Sequence, residues 1–103
     1  MLIVTADYIA GKDIEMLGLV RGSTIKTKNV FKDIGSGFKM IIGGEMKNYT
    51  QMMDDARETA TNRMVEDARM LGADAIVGAR YYSASVIQGA AEAVAYGTAV
   101  KYI

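Results

Sequence analysis

The sequence predicts an α+β fold in the order β-α-β-β, with a long helix packed on an antiparallel sheet. Three observations predict it. In residues 50–71, Met53, Ala56, Ala60, Met64, Ala68 and Leu71 recur at spacings of three and four, which is one face of an α-helix. After that stripe, residues 75–86 and 92–103 are rich in small, β-branched and aromatic side chains on either side of Gln88-Gly89, the pattern of a β-hairpin. Before it, residues 14–20 read as a strand.

Taken in order, that first strand meets Arg21-Gly22, a bulge or bend, and residues 23–28 form its continuation or a second short strand. Asn29 can cap a short helix whose apolar stripe is Val30, Ile34, Phe38, Ile41 and Ile42. Gly35 and Gly37 weaken such a helix by about 1 kcal/mol each, so something must pack tightly on it, and Gly43-Gly44 ends it. For the long helix, Asn48 reads as the N-cap with Gln51 as its capping-box partner. Asp54 and Asp55 in the first turn and Arg69 in the last suit the helix dipole. Gly72 supplies the left-handed residue on which helices commonly end.

The helix spans about 33 Å at 1.5 Å per residue, and each hairpin strand about 40 Å at 3.3 Å per residue. The helix can therefore lie along the hairpin and cover one face. If Gln88-Gly89 is a two-residue turn, Val77 lies opposite Val100 and Tyr81 opposite Tyr96, with Val94, Thr98 and Tyr102 on the same face. The other face carries Gly78, Ala84, Ala93, Ala95, Gly97 and Ala99, a lane of small side chains interrupted by Arg80. A face without bulk lets another backbone approach closely, which makes Gly78 and Gly97 the close-packing glycines. A sheet face left without cover inside the chain finds it in another subunit, so the expected partner is a second copy.

Composition narrows the function. At 103 residues the chain is one domain, residues 1–103. It has no cysteine and no histidine, which removes disulfides, thiolate sites, the usual general base and the commonest transition-metal ligand. A serine–histidine or cysteine–histidine dyad is impossible. Twelve basic and twelve acidic residues cancel, leaving no electrostatic footprint for nucleic acid. No run approaches the roughly 20 apolar residues of a membrane span, and the N-terminus lacks the basic flank of a signal peptide. The expected compartment is the cytoplasm.

Candidate sites are few. Gly35-Ser36-Gly37 with Gly43-Gly44 fits neither phosphate-loop spacing, because Met40 holds the third glycine position. Asp54-Asp55 and Glu66-Asp67 are adjacent in a helix, so their side chains diverge. They read as a solvated face with ion pairs Asp54–Arg57 and Glu66–Arg69. Tyr81, Tyr82, Tyr96 and Tyr102 cluster on the hairpin and pack an amphipathic surface or stack a ligand. Arg80 is an exposed strand charge or a pocket residue paired with an acid. With Tyr82, Arg57 and Glu58 it makes the candidate inter-subunit pocket. No catalytic residue, metal ligand or cofactor is assigned.

Several motifs in order are similar to those of the YbjQ-like family. They are Leu17-Gly18-Leu19-Val20-Arg21-Gly22, Asn29-Val30-Phe31-Lys32-Asp33-Ile34, Gly43-Gly44-Glu45, Ala56-Arg57, Leu71-Gly72-Ala73-Asp74-Ala75-Ile76-Val77-Gly78 and Tyr96-Gly97-Thr98-Ala99-Val100. The resemblance covers residues 17–100. It implies a single YbjQ-like domain of bacterial or archaeal type, a dodecin-like β-α-β-β subunit, a ring of five, and a heavy-metal-binding label. No residue of this chain can be carried over as a metal ligand. Three functional readings follow: a non-enzymatic ring-forming homo-oligomer that binds a small ligand or partner, a metal-binding protein using interface carboxylates, and an enzyme whose inter-subunit site draws on Asp/Glu, Tyr and Arg80.

Overall fold

The computed structural model describes residues 1–27, 44–87 and 89–103. They form β1 (Leu2–Ile3), β2 (Ile14–Thr27), α1 (Gly44–Met70), β3 (Ala75–Ile87) and β4 (Ala90–Tyr102). One sheet runs β1-β3-β4-β2. Strands β2, β4 and β3 are antiparallel neighbours, whereas β1 pairs parallel with β3. The sheet is therefore mixed rather than purely antiparallel. The apolar N-terminus, read only as lacking a signal sequence, supplies the added edge strand. The expected short helix through Val30, Ile34, Phe38, Ile41 and Ile42 lies outside the described residues, as does Gln88.

The long helix begins six residues earlier than the periodicity suggests, so Asn48 sits inside it and is not its N-cap. Gln51 instead donates from Nε2 to Asp55 Oδ1 one turn on (3.0 Å). At the other end Gly72 N–H donates to Arg69 O (2.9 Å) and Ala73 N–H to Ala68 O (3.1 Å), the paired bonds of a glycine-terminated helix. The expected surface pairs Arg57–Asp54 (3.8 Å) and Arg69–Glu66 (3.4 Å) both form. Within the stripe Ala56, Ala60, Met64 and Ala68 are buried, while Leu71 at its end is exposed.

Those four residues pack on Val20, Ile76, Ala93, Ala95 and Ala99. The lane of small residues on β4 is therefore the floor on which α1 lies. At Gly97 an added Cβ would stand 2.8 Å from Ile76 Cγ2 and 3.1 Å from Val77 O. The tightest approach is at Gly22, where a Cβ would collide with Ala60 O and Met64 N of the helix backbone. Arg21-Gly22 is consequently not a bend. The β2–β4 register passes unbroken through Arg21↔Tyr96 and Gly22↔Ala95, and the irregularity falls between Met16 and Gly18. The glycine is required because the helix rests on it.

The hairpin register also differs from the simple two-residue-turn expectation. Ile87 does face Ala90 across the turn, but β3 carries one extra residue between Ser85 and Ile87 and another between Val77 and Arg80. Each bulge moves the pairing by one. Val77 therefore faces Thr98 rather than Val100, and Tyr81 faces Ala95 rather than Tyr96. Arg80 and Ala84 fall opposite Tyr96 and Glu92, on the face away from α1, and leave the small-residue lane. Gly78 lies in the second bulge at φ +61°, with nothing nearer a Cβ than Asp7 Oδ1 at 3.8 Å. Its backbone conformation, which disfavours a side chain, constrains it rather than close packing.

On that outer face the lower end of the sheet is covered by the chain itself. Val4 and Ile9 pack against buried Ala75, Val77 and Val100, beside Ile14 and Tyr102. Overpacking a filled contact costs about 1–3 kcal/mol, whereas a surface change stays within about 0.5 kcal/mol. Gly22→Ala and Gly97→Val should therefore lower the urea midpoint clearly, while Asn62→Ala on the exposed side of α1 should leave it in place. Equal midpoints for all three would mean that the helix does not seat on this lane.

Candidate functional site

The second bulge of β3 places Arg80 where the N-terminal segment leaves the sheet. Val4 and Ala6 accept hydrogen bonds from Ala79 N–H (3.0 Å) and Gly78 N–H (2.8 Å). Arg80 Nη1 donates to Thr5 O and to Ala79 O, both at 3.0 Å. A guanidinium has five N–H donors, so most of its capacity stays free. Among the described residues no carboxylate forms an ion pair with it. The hollow beside it has a volume of about 530 Å³ and is lined by Ile3, Val4, Thr5, Ala79, Arg80 and Tyr81. Its walls are mainly aliphatic, with one fixed cation at the edge.

The four residues assigned to the candidate pocket do not meet within one chain. Tyr82 faces Val94 on the outer side of the sheet and is exposed. Arg57 and Glu58 belong to α1, which packs on the opposite side. Arg57 Nη1 is buried without a hydrogen-bond partner among the described residues, although Asp54 Oδ1 lies 3.8 Å away. The Arg57 carbonyl accepts a hydrogen bond from Thr61 Oγ1 (2.7 Å). Because that uses the only proton of Thr61, the Tyr81 hydroxyl is the donor in the 2.8 Å contact between Tyr81 and Thr61. The helix thus holds Tyr81 at the hollow. Sequence reading grouped Tyr81 with the hairpin tyrosines and missed this placement, as it missed Thr5, because both follow from the bulge at Gly78-Ala79.

Chemically the arrangement can hold an anion against an aliphatic wall. Among the described residues that line it, no nucleophile is paired with a base. No described helix is long and apolar enough to cross a membrane.

The sequence profile of a family described as "Putative heavy-metal-binding" matches residues 1–103. A UPF0145 protein of Clostridium novyi (strain NT) is 56% identical over 103 residues, covering all of both chains. One from Methanosarcina acetivorans is 55% identical over 102 residues, covering 98% of this chain and 96% of the other. Among solved structures, a protein of unknown function in the DUF74 family from Pediococcus pentosaceus superposes with a TM-score of 0.65 at 18% identity, covering 100% of this chain and 98% of that one. That likeness supports the fold.

The donor set lacks the ligands that heavy-metal sites most often use. Zinc and copper sites draw on thiolate or imidazole, and the chain contains neither. Among the described residues no three Asp or Glu side chains converge. Untagged protein dialysed against a slight excess of zinc, copper, cadmium or nickel at neutral pH should retain no stoichiometric metal by elemental analysis. One tightly held ion per subunit would overturn this and would require methionine sulfur and carboxylates as ligands.

Proposed function

The chain belongs to the YbjQ-like family, and on that premise we propose that it acts as a non-enzymatic homo-oligomer, a ring of five, holding a small anionic ligand near the subunit boundary. The observation that carries this reading is the upper half of the outer sheet face. Beyond the cover given by Val4 and Ile9, Leu19 is 71% exposed, Ile25 56%, Tyr82 57% and Ile87 67%, with Val94 and Tyr96 between them.

Three strands about 4.8 Å apart, over nine residues rising about 3.3 Å each, make about 400 Å² of sheet before side-chain relief is counted. The apolar side chains share this face with Arg21, Arg80 and Glu92, and large exposed apolar patches bordered by polar residues mark contact sites. A neighbouring subunit on this face would bury it, and family membership supports the number five. The Arg80 hollow lies at the edge of the same sheet, so a neighbour seated there would close it. The free guanidinium supplies the charge preference, and the aliphatic walls favour a ligand with an apolar body. A non-enzymatic role is supported by the chemistry above, since the only equipment is one cation and two hydroxyl-bearing side chains.

Native mass spectrometry of freshly purified protein should give five times 11.1 kDa or a whole multiple of that mass, together with any small anion carried through purification. A stable monomer at micromolar concentration would overturn the reading.

A further inference from the structure

The two edges of the sheet are treated differently. Along β2, Arg21 N–H donates to Asp67 Oδ2 (3.2 Å) and Ser23 O accepts from Arg63 Nη1 (2.7 Å). Both partners come from α1, which hangs two charged side chains over the middle of that edge. Charges placed this way are a common protection against strand pairing. Along β3 the described residues occupy only the lower end: β1 pairs with Ala75 and Ile76, and the N-terminal segment follows as far as Ala79. Beside residues 81–87 no element runs among the described residues. That stretch, Tyr-Tyr-Ser-Ala-Ser-Val-Ile, has no charge and no proline, so it lacks the features that blunt an edge.

We propose that this edge is a docking strand for a second copy of the chain, the two β3 strands pairing antiparallel about a two-fold axis at Ala84. The stretch is complementary to itself in that arrangement. Ser83 falls opposite Ser85 of the partner subunit, a pair of hydroxyls. Tyr82 meets the partner subunit's Ile87 where the bulge between Ser85 and Ile87 brings it round. That pair is aromatic on β-branched, a favourable cross-strand combination, and it occurs twice by symmetry. Large ends meet large ends, small centre meets small centre, and neutral side chains oppose neutral ones. A second copy offers no other edge of this kind among its described residues, since β1 is two residues long and β2 is obstructed by Arg63 and Asp67.

This contact is separate from the ring. Five subunits cannot pair off two by two, so within a ring of five the strand pairing joins one ring to another and the assembly holds ten chains. Without a ring it gives two.

The chain has no cysteine, so Ala84→Cys introduces a single thiol. Residues directly opposed in an antiparallel pair have Cα atoms about 4.5–5.5 Å apart, within the roughly 4.4–6.8 Å that a disulfide spans. Under mild oxidation at low micromolar concentration Ala84→Cys should form a disulfide-linked dimer on a non-reducing gel, at least about tenfold faster than Asn62→Cys on the exposed side of α1. A mixture of Ser83→Cys and Ser85→Cys should link to each other faster than either alone, which reads the same register if Ala84→Cys folds poorly. Native mass spectrometry of the unmodified protein, run alongside, should give an even number of chains. Ten chains with the cross-link support both the ring and the strand pairing. Two chains with it support the pairing and overturn the ring. Five chains with cross-linking no faster than at Asn62 overturn the pairing and leave the ring standing, and a monomer without it overturns both.

Discussion

The fold depends on the seating of a helix backbone on a glycine. Because Gly22 has no Cβ, the chain at Ala60 and Met64 reaches the backbone of β2, and the alanines of β4 let the rest of α1 settle at the same depth. Large side chains on either element would lift the helix and open the core. The arrangement also fixes where the helix lies across the sheet: it runs over β2 and β4 and leaves the upper part of β3 at the margin. From that offset follow the two charged side chains over the β2 edge, the Tyr81 hydroxyl held by Thr61 at the rim, and an edge along residues 81–87 that no other described element covers.

Features that arise within one element were legible in the sequence, and those decided between elements were not. The helical stripe, its glycine stop and its two surface ion pairs depend on spacings of three and four, and the structure contains all of them. The position of the turn and the alternation along β4 are equally local. The register between β3 and β4 is not, because each bulge trades a broken ladder step for a fit elsewhere. The one at Gly78-Ala79 lets the N-terminal segment bond to β3 through Val4 and Ala6. Arg80 therefore changes faces for a reason that lies in residues 4–6, more than seventy positions away. The strand does continue past Gly22, but reading Arg21-Gly22 as a bulge or bend missed the glycine's role for the same kind of reason, since the helix that demands it is distant in sequence. The start of α1 escaped because Asn48-x-x-Gln51 has the capping spacing, yet Gln51 bonds forward along the helix to Asp55.

The candidate site was legible in one respect only, the oddity of Arg80. Its neighbours Ile3, Val4 and Thr5 come from a segment with no periodicity to read, and Tyr81 reaches the hollow only after the bulge has turned it away from Tyr96. Arg57 and Glu58 do not join Arg80 within one chain because α1 and the Arg80 position lie on opposite sides of the sheet, a separation that sequence spacing does not reveal.

The heavy-metal description of the family meets a chain in which five carboxylates of the described residues are engaged in structure. Asp67 accepts from Arg21 N–H, Asp74 accepts from Tyr102 N–H (2.8 Å), and Asp55 accepts from Gln51. Asp54 and Glu66 are paired with arginines. A cation drawing on these five would have to displace those bonds, and among the described residues no three Asp or Glu side chains converge. The arginine at the hollow faces the opposite situation. It is held by two backbone carbonyls, which fix its position without neutralising its charge, so an anion arriving there has no bound acid to displace. That contrast is what supports the proposed anion over a metal, and the arginine owes its place to the same bulge at which the described cover along the edge of β3 ends.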